Sequence, residues 1–181
     1  MYATNDNLQA ITSRTMIKDA LFSLMKQYPY KDITITQICQ EAQIVRQTFY
    51  RNFDEKNDIL KLHLDGMSRE YFAEHHNEDN VFNQLKNFFS FMLVNKEFLK
   101  LLSKNYLLFM LEKNITLDIT ARFNKLNLSP IAGAGSEKYV ISFIVSTHCS
   151  LLSKWIDEEF AESPETMCKL AQRFLGDLST Y

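Results

Sequence analysis

The chain predicts an all-α fold, and two observations carry that expectation. Only 4 Gly and 3 Pro interrupt its 181 residues, too few for the many turns of a sheet protein. Its apolar residues, 46% of the chain with 13% aromatic, recur at three- and four-residue intervals, the spacing of one helical face. They are enough for a real core, and the turn-forming residues divide the chain into about nine helices.

Residues 1–8 are polar and unpatterned and are expected to form a tail. Helix 1 is expected from about Gln9 or Ser13 to Tyr28, with Ile17, Leu21, Leu24 and Met25 as its buried stripe and Pro29 as its stop. Thr34 is a fitting cap for helix 2, about Ile35 to Ala42, which turns Ile35, Ile38 and Cys39 inward. Only Gln43 to Val45 separate it from a third helix at Arg46. Two short helices joined by so short a turn, behind a longer packing helix, make a helix-turn-helix.

The stretch Ile44 to Phe53 carries the chemistry. Phe49 and Phe53 lie four residues apart and share a face that must be buried. Arg46, Gln47, Tyr50 and Arg51 then face away. Alone, such residues are ordinary solvated side chains. Together on the second helix of a helix-turn-helix they suit a major groove, where Arg pairs with guanine O6 and N7 and Gln with adenine N6 and N7. A net charge of −2 excludes a protein that coats nucleic acid through a broad basic surface. Residues 1–56 hold seven Lys/Arg against six Asp/Glu, +1, and residues 57–181 thirteen against sixteen, −3. DNA contact is therefore expected from the first segment only.

The run from Thr34 to Leu60, and above all Thr48-Phe49-Tyr50-Arg51-Asn52-Phe53-Asp54-Glu55-Lys56, resembles the N-terminal signature of the TetR family of bacterial transcriptional regulators. With Arg14 to Leu21 ahead of it, the resemblance covers about the first third of the chain. It implies a helix-turn-helix DNA-binding domain over 1–56 and a helical ligand-binding and dimerisation domain over 57–181. It assigns phosphate contact to Thr34, Thr48, Tyr50 and Lys56 and base readout mainly to Arg46 and Gln47, with Thr36 and Arg51 beside them in the DNA-binding set. Lys56 also stands near the start of a further helix, where backbone N–H groups favour an anion. The chain departs from the family in three places. Gln43 stands where Gly is usual, Val45 where a capping Ser is usual, and Gln47 where a small residue is frequent. The first two should each cost on the order of 1 kcal/mol, and the methyls of Val45 could touch a thymine methyl instead.

A linker helix is expected from Asp54 to about His76, with Ile59, Leu60, Leu62, Leu64, Met67, Tyr71 and Phe72 apolar. His63, His75 and His76 have no Cys, Asp or Glu partners at ligand spacing, so no metal site is expected. Residues 80–126 read as helices 5, 6 and 7. The resemblance implies an effector cavity there, and Phe88, Met92, Tyr106, Phe109 and Met110 could wall it for a small apolar ligand; packing into the core is the plainer reading. Gly133-Ala134-Gly135 is too short to suggest a nucleotide site, and no cofactor is expected.

Helix 8 is expected from Ser136 to Phe160, with Tyr139, Phe143, Thr147, Leu151 and Trp155 as one stripe. Helix 9 follows Ser163-Pro164 to about Leu178. This end looks like that of the dihydroxyacetone-kinase operon activator subgroup of the same family, which implies a four-helix dimer bundle using Phe143, Thr147, Leu151, Trp155, Leu170 and Phe174; core packing within one chain is the other explanation of the same stripes. Ser146, His148 and Cys149 are too close along one helix to converge as a nucleophilic site, so an enzyme is not expected. No apolar run approaches the length of a membrane span and no leader opens the chain, which points to the cytoplasm. Cys39, Cys149 and Cys168, odd in number and far apart, suit reduced thiols. The expected function is a ligand-responsive repressor, homodimeric on a palindromic operator. The alternative is an adaptor or co-activator of the same fold that binds a protein instead of DNA.

Overall fold

The computed structural model describes residues 3–75, 80–123 and 135–175. Among them the fold is all-α. Nine helices follow in order, with one 3-10 turn at Tyr30–Asp32: α1 Ala3–Gln27, α2 Ile35–Glu41, α3 Arg46–Asn52, α4 Lys56–Glu74, α5 Val81–Val94, α6 Lys96–Lys104, α7 Leu108–Arg122, α8 Glu137–Asp157 and α9 Pro164–Leu175. The chain forms two compact units, residues 1–65 and 66–181, divided within α4.

In the first unit α1 packs on α2 and α3. Its stripe, Ile17, Leu21, Leu24 and Met25, is buried, and it meets Ile38, Cys39, Phe49, Phe53, Ile59 and Leu60 in one core. Ile35 is only half-buried. The expected polar tail is helical from Ala3 onward; within this helix the hydroxyls of Thr12 and Thr15 donate to the carbonyls four residues back.

In the second unit α9 lies along α5 and α8 along α7, with α6 packing on α8. Leu85, Phe89, Met92, Leu99, Leu102, Leu152, Trp155, Ile156, Cys168 and Ala171 are buried in its core. A second cluster joins Phe123 with Ile141 and Val145. By length and composition α8 could cross a membrane, although no such run was expected. Here its apolar residues Ile141, Val145, Leu152, Trp155 and Ile156 are buried in the unit's own interior.

Among the described residues three helices end in Schellman motifs, and none of the three uses glycine. After α2, Gln43 takes φ 54° while its N–H donates to Gln40 O and that of Ile44 to Cys39 O. After α6, Tyr106 takes φ 59°, with N–H bonds from Tyr106 to Ser103 O and from Leu107 to Leu102 O. After α8, Glu159 takes φ 56°, with bonds from Glu159 to Ile156 O and from Phe160 to Trp155 O. Each motif satisfies helix carbonyls that would otherwise lack donors. The last is completed by Phe160 packing edge-on against Trp155, ring centroids 5.0 Å apart.

Candidate nucleic-acid interface

The helix-turn-helix is assembled from local rules. Thr34 closes a capping box: its hydroxyl accepts from Gln37 N–H at 3.2 Å, and Gln37 Oε1 accepts from Thr34 N–H at 2.8 Å. The Schellman turn at Gln43 reverses the chain, and Val45, extended at φ −81° and ψ 152°, caps α3 with no side-chain bond to a helix N–H. Phe49 is fully buried and packs on Phe53 at 6.0 Å. Arg46, Gln47, Tyr50 and Arg51 are exposed, as are Thr34 and Thr36.

These side chains share one surface because α3 turns about 100° per residue, so 46 and 50 stack, as do 47 and 51, opposite Phe49. Arg46 Nη2 donates to the Tyr50 hydroxyl at 3.3 Å and its guanidinium lies 5.9 Å from the Tyr50 ring centre. The pair holds a cation and a phenol ready for a polyanion without a carboxylate between them. Thr48 is half-buried, and its carbonyl accepts from Asn52 Nδ2 at 2.9 Å. Val45, 67% exposed, sets an apolar tip beside Arg46.

Lys56 stands apart from this surface. Its ammonium turns inward onto the carbonyls of Tyr30 and Ile33 at 2.6 and 2.7 Å. The amino end of α4 also carries an anion of its own: Asp58 Oδ2 accepts from the N–H groups of Asp54 and Glu55 at 3.2 and 3.0 Å. Those bonds, with Lys61 at 3.0 Å, hold the Asp58 carboxyl below the usual carboxylate range. Sequence reasoning missed both features, since nothing in the spacing of Lys56 or Asp58 tells inward from outward.

The residues expected to wall an effector cavity are not brought together. Phe88 is half-buried against Phe89 and His148, and Met92 is buried. Tyr106 is 90% exposed and Phe109 61% exposed, whereas Leu107 and Leu111 between and beyond them are buried; Met110 is half-buried. A pocket of about 490 Å³ opens instead between α7 and α8, lined among others by Glu112, Thr116, Lys138, Ile141, Ser142 and Ser146. Hydroxyls and the charges of Glu112 and Lys138 stand along it, but most of its exposed lining is apolar.

The expected α8 stripe divides. Phe143 is 58% exposed, Thr147 and Leu151 are half-buried, and Trp155 is buried between Phe89 and Phe160 with Nε1 donating to Glu162 O at 3.0 Å. The reason is geometric: steps of four residues advance about 40° around a helix, so four steps carry the stripe from the outer face nearly to the opposite one. Leu170 is half-buried, and the Phe174 side chain lies outside the described residues, as do His76 and Gly133-Ala134. Cys149 has its thiol pushed up to about 12 by burial, then by Glu112, the reverse of an activated nucleophile. Among the described residues no three His, Cys, Asp or Glu gather as a metal site.

Comparison with known proteins follows the same lines. A TetR-type family described as the C-terminal region of transcriptional regulators matches residues 79–177. The structure of a TetR transcriptional regulator from Streptococcus agalactiae 2603V is similar at TM-score 0.71 and 18% identity, covering 95% of this chain and 98% of that one. The dihydroxyacetone kinase operon activator DhaS is similar at TM-score 0.58 and 19% identity, covering 91% and 94%. No curated protein matches in sequence.

Proposed function

The chain belongs to the family of TetR-type transcriptional regulators whose C-terminal region it carries, and from that premise we propose that it is a sequence-specific DNA-binding repressor, homodimeric and responsive to a small ligand. One observation supports DNA binding above the rest. The exposed face of α3 gathers Arg46, Gln47, Tyr50 and Arg51 opposite the buried Phe49. Arg46 and Gln47 read bases, and Tyr50 with Thr34, Thr36 and Thr48 contacts phosphate to set the register. Arg51 adds charge at the far end of the helix.

Dimerisation suits the exposed apolar part of α8, where Tyr139 and Phe143 are 67% and 58% exposed, joined by Thr147, Leu151 and Leu170. Two α3 helices about 34–36 Å apart then read half-sites one DNA turn apart, giving a palindromic operator. The groove between α7 and α8 is the candidate effector site, for a small molecule with an apolar body and a few polar groups. The protein acts in the cytoplasm, where its operator is.

The test is selection of duplexes from a randomised pool by the full-length protein, followed by gel shifts on the winner. Recovery of an inverted repeat is expected. Arg46→Ala should erase discrimination at one base pair per half-site, about 1–3 kcal/mol, whereas Tyr50→Phe should weaken all duplexes alike. Failure to enrich any duplex with the dimer intact overturns the reading. A reporter driven by the selected site decides the sign, repression being expected.

A second reading, an adaptor or co-activator that binds a protein, is favoured by the apolar tip that exposed Val45 gives to α3. Pull-down with and without DNase separates the two, because an adaptor's partner survives loss of DNA.

A further inference from the structure

We infer that Lys56 is a positioning residue that cinches the base of the helix-turn-helix, and not a group that neutralises a DNA phosphate. The inference rests on the DNA-binding reading only for its effect on affinity; the clamp itself is a property of the free protein.

A lysine ammonium has three donors and no acceptor. The three carbonyl oxygens within reach of Lys56 Nζ, those of Tyr30, Ile33 and Lys31 at 2.6, 2.7 and 3.3 Å, use that inventory in full. The Tyr30 ring supports the cation from below, its centre 4.5 Å away. The next residue repeats the connection, for the Tyr30 hydroxyl donates to Asn57 Oδ1 at 2.5 Å. Burial pushes the ammonium below the usual lysine range and the Tyr30 phenol above its own, as expected where both leave water. Reaching a phosphate would mean giving up these bonds. The phosphate would also meet Asp58 and Glu55, which already share Lys61 at 3.0 and 3.3 Å.

The position of the clamp in the chain gives it its role. Its carbonyls come from residues 30–33, immediately before Thr34, the cap of α2. Its donor is the first residue of α4, three positions after Phe53, the C-cap of α3. The segment 34–55, which is the helix-turn-helix, therefore leaves and returns through one hydrogen-bonded neck. Charge-assisted bonds of this kind are among the stronger ones a fold has, and they fix how α2 and α3 are aimed without touching either.

The experiment compares wild type with Lys56→Met, which keeps the aliphatic stem, and with Arg51→Ala as a control that removes an exposed cation from the proposed DNA-facing surface, on the duplex selected above. Lys56→Met is expected to lower the unfolding temperature by roughly 5 °C or more and to weaken binding about tenfold. The slope of log affinity against log salt should stay unchanged, whereas Arg51→Ala should flatten it by about one per subunit. A flattened slope for Lys56→Met with no thermal loss would overturn the inference in favour of a phosphate contact. In the free protein, 15N NMR should show a protected Lys56 ammonium signal that Lys56→Met removes; a fast-exchanging ammonium there overturns the clamp even where the variant fails to fold. If wild type selects no duplex, the proposed function falls while the ammonium signal still decides the clamp.

Discussion

At the scale of single residues, the turn before α3 is built from two side chains that its geometry does not favour. Gln43 holds φ 54°, which costs a residue with a Cβ more than it costs glycine. Val45 occupies a cap with no oxygen to offer. Gln43→Gly and Val45→Ser should therefore each stabilise the folded chain by about 0.5–1 kcal/mol, seen as higher urea midpoints at constant m-value; a fall in midpoint for either would contradict the turn described. Both penalties were legible in the sequence, as was Thr34, because capping and left-handed turns depend on residues a few positions apart. Lys56 was not legible. Its partners lie more than twenty residues away, and an outward and an inward lysine have the same letter.

At the scale of helices, periodicity predicted which residues of α1 and α3 are buried and erred where it was extended too far. The stripe of α1, from Ile17 to Met25, mixes steps of three and four and stays on one face. The α8 stripe, made only of steps of four, drifts across the helix and joins exposed Phe143 to buried Trp155. Substitution should separate them: Phe143→Asp should shift the proposed dimer towards monomer in analytical ultracentrifugation while leaving the melting temperature of a single chain unchanged. Trp155→Ala, which empties a buried site beside Phe89 and Phe160, should cost about 3–5 kcal/mol. Equal loss of dimer and of chain stability from both would show that the face is not divided. Tyr106 and Phe109 escaped sequence reasoning for a related reason. A left-handed tyrosine breaks the phase between α6 and α7, and only glycine or asparagine would have signalled it.

At the scale of the whole molecule, each unit holds a half-buried histidine that resists protonation. His63 in the first unit lies edge-on to Phe22 and is pushed down to about 4, chiefly by burial and then by the Lys18 ammonium, against the opposing pull of Asp19. His148 in the second unit is pushed down by burial; its Nδ1 must carry the proton, since its partner at 2.6 Å is the Ile144 carbonyl. Because the folded values lie below the unfolded 6.5, the unfolded chain binds more protons under that pH. Stability is then complete above about pH 6.5 and falls as the pH drops towards 4. Urea midpoints at pH 7 and pH 5 should differ for wild type, and the part due to His63 should vanish in His63→Phe. The expected boundary fell after residue 56, whereas the compact units divide after residue 65, and the resemblance of Thr48 to Lys56 supplied the role proposed for the first. The second unit's surfaces depend on long-range packing and were only partly foreseen. The burial of the one tryptophan has a practical consequence. Trp155 sits wholly in the second unit, enclosed by Phe89 and Phe160, so emission excited at the red edge of absorption reports 66–181 and is blind to 1–65. The molecule carries its own optical label, and comparing that glow with helical circular dichroism would reveal, with no added dye, which unit melts first.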